Sequence, residues 1–130
     1  MSQNDVATLR AAYEAFNRQD VPAVVAVLDP NIEWIEPVGE KSPHGTLRGP
    51  QAVVEGVFVP IGGHFDQFRI DVREVWDAGN RLVATGHVQG KTKSDKSVDM
   101  PFAHIWTVDN GKATGFQAFV DADAWAAVWA

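Results

Sequence analysis

Apolar residues change their period along this chain, recurring every three to four positions near the start and every second position through most of the second half. Val6, Leu9, Tyr13 and Phe16 follow a capping-box-like Ser2 and Asp5, which predicts a first helix ending near Asn17 to Gln19. Asp20 is placed to cap a shorter helix with Pro22 in its first turn and Val21, Val24, Val25 and Leu28 as its apolar stripe. Asp29-Pro30-Asn31 stops it, a strand is expected over Asn31 to Gly39, and Gly39 to Gly49 reads as loop. Pro50 opens a third helix through about Phe58, which Pro60, Gly62 and Gly63 are expected to break.

Strict alternation then takes over. Phe68, Ile70, Val72 and Trp76 share one face of a strand from Phe65 to Trp76, and further strands are expected at Arg81 to Gln89, Met100 to Val108 and Lys112 to Val120. Turn residues separate them at 77–80, 92–97 and 109–111, and Asp121 to Asp123 can cap a terminal helical turn carrying Trp125 and Trp129. Helices, one strand, a helix and four consecutive strands indicate an α+β fold, an antiparallel sheet with its concave face covered by helices.

With 130 residues the chain is expected to form one domain, 1–130, able to hide roughly two-thirds of its surface. Seventeen acids against eleven bases give a net charge of −6, which argues against nucleic acid as a partner. There is no cysteine, no signal-peptide pattern and no apolar run long enough to cross a membrane, so a cytoplasmic globule is expected. HExxH, a Gly-rich phosphate loop and a nucleophile elbow are absent, which leaves metal, nucleotide-cofactor and serine-hydrolase readings without support.

Two polar residues fall on faces that ought to be apolar. Glu36 shares a strand face with Ile32 and Trp34, where desolvation would raise its pKa and make it a proton carrier near neutral pH; alternatively it reaches water at the strand end, before Pro37. His104 lies between Phe102 and Trp106, either as a functional imidazole or as a core histidine satisfied by a backbone carbonyl. If the intervening hairpin tip lies near Asp95 and Lys96, His87 falls opposite His104 on the same face, unless a bulge turns it outward. Tyr13 is on the apolar stripe of the first helix, and its hydroxyl needs a partner if buried. His44 and His64 read as solvated loop histidines.

Four stretches, YEAFNRQD (13–20), DPNIEWIEPVG (29–39), LRGPQAV (47–53) and PFAHIWTVDNGKATGFQAFVDA (101–122), resemble the SnoaL-like branch of the NTF2-like superfamily, which includes ketosteroid isomerases and polyketide cyclases. The resemblance implies a cone, in which a strongly curved antiparallel sheet and three N-terminal helices enclose a deep apolar pocket, and a homodimer formed through the sheet. It also implies that Glu36 takes the position of the isomerase base and His104 that of the protonated aspartate in the oxyanion hole. The isomerase tyrosine matches Ala12 more strictly than Tyr13, and neither Phe116 nor Ala118 supplies the acid sought in the cyclases. Related dehydratases that use a histidine pair bring in His87 with His104.

The expected function is therefore cofactor-independent acid-base proton transfer on a small hydrophobic carbonyl compound, of isomerase, cyclase or dehydratase type. Glu36 and His104 would be catalytic, in a pocket built from Tyr13, Phe16, Trp34, Phe58, His87, Phe102, Trp106, Phe116 and Ala118, with no metal. The alternative is a non-catalytic module that uses the cavity for an apolar ligand or the sheet for dimerisation.

Overall fold

The computed structural model describes residues 3–37 and 39–130, so the expected cap at Ser2 lies outside the described residues. Helices α1 (Gln3–Asn17) and α2 (Val21–Val25) lead into strands β1 (Leu28–Glu36) and β2 (Gly45–Arg48). After α3 (Pro50–Val53), a π-helical turn (Val54–Phe58) and α4 (Val59–His64) come β3 (Phe65–Asp77), β4 (Leu82–Thr92), β5 (Ser97–Asp109), β6 (Lys112–Val120) and α5 (Ala122–Trp129). The strands form one curved, unclosed sheet in the order β2-β1-β6-β5-β4-β3. No helix among the described residues is long and apolar enough to cross a membrane.

Asp20 caps α2 as expected, its carboxylate accepting from the Ala23 N–H. That helix nevertheless stops at Val25, and Leu28, expected on its stripe, is the first residue of β1. Pairing with β6 takes precedence there, because Leu28 aligns with Ala113 and the Ala113 N–H donates to the Val27 carbonyl. The β1–β6 contact is parallel, whereas every other pairing is antiparallel as expected. Its register breaks between Leu28 and Glu33, around Pro30, which has no N–H for the ladder.

Three further expectations need correction. Residues 45–48 form the edge strand β2 within the supposed loop; only Leu47 is even half-buried, so no alternation announced it. Pro60 does not end the third helical segment. The Val59 N–H reaches back five residues to the Val54 carbonyl, and the widened turn carries the chain past the proline ring into α4. His64, the last residue of α4, is not a solvated loop histidine: its Nε2–H donates to the Val128 carbonyl at 2.6 Å, and its ring stacks on Trp129.

Trp76 is also displaced from the face assigned to it. A bulge between Val72 and Glu74 reverses the alternation of β3, so Val75 packs on the core and Trp76 stands 53% exposed. Gly86 on β4 accommodates this bulge, since a Cβ there would lie 1.9 Å from the Asp71 carbonyl oxygen. The free edge of β3 is met by Asn17, whose side-chain amide both donates to the Ile70 carbonyl and accepts from the Ile70 N–H. This anchors the end of α1 over the concave face.

Candidate active site

The concave face carries Trp34 from β1, Met100, His104 and Trp106 from β5, and Phe116 and Ala118 from β6, all buried. Helix α1 contributes Tyr13 and Phe16, the π-helical turn Phe58, and α5 Trp125. Together they enclose a cavity of about 70 Å³. A second hollow of about 300 Å³ lies between residues 39–42 and α5, and Trp125 lines both.

Sheet register explains how the two anomalous polar residues meet this space. Trp34 aligns with Phe116 and Phe116 with Trp106, forming an aromatic row across three strands in which Trp34 stacks on Phe116 at 3.7 Å. Two residues further along, His104 aligns with Ala118, and the parallel β1–β6 register continued past Ile35 and Gln117 brings Glu36 level with the same alanine. Glu36 and His104 thus flank Ala118 from either side, their backbones two strand spacings or about 10 Å apart across the sheet. The short alanine side chain leaves the space between them open.

Glu36 is the last residue of β1, directly before Pro37, and its carboxylate accepts a hydrogen bond of 2.7 Å from the Trp34 indole. Burial pushes its pKa from the ordinary 4.5 up to about 7, a rise the Trp34 bond partly restrains. His104 is 5% exposed, and burial lowers its pKa to about 3, so the ring is neutral at physiological pH. Its Nδ1 lies 2.6 Å from the Tyr13 hydroxyl, which also accepts the Trp106 indole N–H at 2.8 Å. Burial raises the Tyr13 pKa well above the usual tyrosine range.

Of the residues expected in the pocket, Tyr13, Phe16, Trp34, Glu36, Phe58, His104, Trp106, Phe116 and Ala118 line the cavity. Phe102 does not line the cavity; it lies on the same face of β5, buried against His104 with ring centroids 4.3 Å apart. His87 faces the opposite side of the sheet. The β4–β5 register places Ala84, not His87, opposite His104, and the His87 Nδ1–H donates to the Asp99 carboxylate at 2.6 Å. Trp125, Met100, Val57 and Ile61 also line the cavity. Val57, apolar in the third helical segment, and Trp125, following the Asp121 cap, carried a local signal of burial, and Met100 shares the strand face of His104; Ile61 falls beyond the expected end of its helix at Pro60.

Residues 9–116 match the family model of the SnoaL-like domain. The chain belongs to this family. Among solved structures, this SnoaL-like chain is similar to an NTF2-like protein of unknown function from Burkholderia pseudomallei K96243, with 30% identity, 99% and 98% of the two chains covered and a TM-score of 0.90. It is likewise similar to an NTF2-like protein from Burkholderia thailandensis E264, with 30% identity, 98% of each chain covered and a TM-score of 0.86. A putative SnoaL-like polyketide cyclase from Jannaschia sp. CCS1 shares the fold at 17% identity, with 99% and 95% covered and a TM-score of 0.81. No curated protein matches the chain.

Proposed function

We propose that this SnoaL-like protein is an acid-base enzyme that removes a proton from the carbon beside the carbonyl group of a small, uncharged hydrophobic substrate. Glu36 accepts the C–H proton, the carbonyl oxygen gains the electron pair as an enolate, and His104 donates a hydrogen bond to that oxygen. Returning the proton to the same or another carbon gives exchange or isomerisation without a co-reactant. One observation carries the reading: a carboxylate whose pKa lies near 7 and a neutral imidazole line the same otherwise apolar cavity. Among the described residues no lysine or arginine lines that cavity, which favours a substrate without negative charge.

The test is deuterium uptake in D2O at carbons beside the carbonyl of cyclopentanone and 2-cyclohexenone, read by proton NMR. Uptake accelerated by the wild type and abolished in Glu36→Gln supports the proposal; wild-type rates equal to buffer, for these ketones and for larger cyclic ones, remove it. We also propose a homodimer through the convex sheet face, where Phe119 is 46% exposed beside half-buried Ile105. Sedimentation velocity showing only monomer at micromolar concentration would exclude it.

A further inference from the structure

We infer that Tyr13 is a positioning residue, which holds His104 as the Nε2–H tautomer so that the imidazole presents a proton to a ligand oxygen. Hydrogen-bond accounting in the buried cluster leads there. The Trp106 indole is a donor only, so at 2.8 Å the Tyr13 oxygen must accept from it. That oxygen has one proton left to place. The neighbouring His104 Nδ1 lies 2.6 Å away, and no other described group is bonded to the Tyr13 hydroxyl.

If Nδ1 carried the hydrogen, the Tyr13 oxygen would accept twice and its own proton would be buried without an acceptor, at a cost of desolvation. With Nδ1 as acceptor, every proton in the chain from Trp106 through Tyr13 to His104 is used. The remaining hydrogen of the neutral ring then sits on Nε2, for which no described residue supplies a partner. The ring planes are nearly parallel, 13° apart with centroids 5.8 Å apart, so the Tyr13 hydroxyl meets the His104 Nδ1 at the ring edge. Ala12, which matches the isomerase tyrosine more strictly, has no hydroxyl to contribute. Tyr13 therefore acts through His104 rather than on the ligand directly.

The effect on turnover rests on the function proposed above, but the tautomer does not, and the experiment separates them. In two-bond proton–nitrogen correlation spectra of the full chain labelled with 15N-histidine, His104 signals are identified by their loss in His104→Gln. The wild type is expected to show the Nε2–H pattern alone from pH 5 to 8, without ligand. Tyr13→Phe is expected to populate the Nδ1–H form and to slow deuterium uptake by roughly tenfold or more, with the pH midpoint of uptake unchanged. Should that variant not fold, a coupling across the hydrogen bond from the wild-type Tyr13 hydroxyl proton to His104 Nδ1 makes the same point, and its absence counts against the assignment. An Nδ1–H pattern in the wild type, or an unaltered Nε2–H pattern in Tyr13→Phe, overturns it. A correct tautomer without any deuterium uptake removes the proposed reaction alone.

Discussion

Trp34 and Glu36, two positions apart on one face of β1, are joined side chain to side chain, the indole N–H donating to a carboxylate oxygen at 2.7 Å. The bond favours the ionised carboxylate while burial opposes it, and burial dominates, leaving the pKa near 7. Removing the donor should therefore move the acid upward. In Trp34→Phe, a carbon-13 titration of the Glu36 carboxyl should give a midpoint above the wild-type value. An unchanged or lower midpoint would mean that the indole bond does not tune this base.

The same shift has a stability cost with a definite pH window. Below pH 4.5 Glu36 is protonated in both folded and unfolded chains; between 4.5 and about 7 the unfolded chain releases its proton while the folded one keeps it. Stability attributable to this group is complete at the acid end and lost as pH rises through 7, by roughly 3 kcal/mol. Glu36→Gln does not titrate. Urea unfolding should show its stability relative to wild type rising by about that amount between pH 4.5 and 8, while deuterium uptake disappears.

His104 has the opposite sign. Its folded pKa near 3 lies below the ordinary 6.5, so its contribution is intact above 6.5 and is lost as pH falls toward 3, because the unfolded chain takes up the proton first. In the Glu36→Gln background, adding His104→Phe should flatten the fall in stability between pH 6.5 and 4 seen in urea titrations. For the proposed reaction a single limb is expected: uptake rising with a midpoint near 7 as Glu36 ionises, with no descending limb from His104 in the neutral range.

How much of this was readable in the chain depends on how local each cause is. Glu36 and His104 broke a two-residue alternation, and that alone marked them. Asp20 and Asp121 declared their caps because the donors they meet are three residues away. The bond from Tyr13 to His104 spans 91 positions and depends on where α1 settles over the sheet, so no spacing encodes it. His87 was misplaced through parity: a hairpin register different by an odd number of positions exchanges the two faces of a strand. Trp76 left its assigned face for a similar reason, one extra residue in β3. The parallel β1–β6 pairing, which brings Glu36 level with Ala118, joins elements at opposite ends of the sequence.

Gly86 tests the close approach that admits this bulge. Its missing side chain is replaced in space by the Asp71 carbonyl oxygen, 1.9 Å from where a Cβ would sit, with the Arg73 nitrogen at 3.0 Å. Those are backbone atoms of a paired strand, which cannot swing aside like a side chain. Gly86→Ala should lose about 1–3 kcal/mol in urea unfolding through overpacking. Gly62→Ala, in α4 with nothing within 4 Å, should gain about 0.4–1 kcal/mol by restricting the unfolded chain.

Trp125 stands between two hollows, and its truncation tests how large a ligand the proposed site accepts. The cavity around Glu36 and His104 holds about 70 Å³, whereas the neighbouring hollow holds about 300 Å³. Trp125 lines both; among the described residues its buried indole N–H has no hydrogen-bond partner, and its ring packs against Phe65, Phe68 and Trp129. Truncation in Trp125→Ala should join the two spaces at a cost of roughly 3–5 kcal/mol. Deuterium uptake should then shift toward larger ring ketones, with KM for a bicyclic ketone falling relative to that for cyclopentanone, and the midpoint near pH 7 should persist because Glu36 and Trp34 are untouched. An unchanged preference between the two ketones, in a variant shown by circular dichroism to be folded, would mean that substrates enter and sit without using the space behind Trp125.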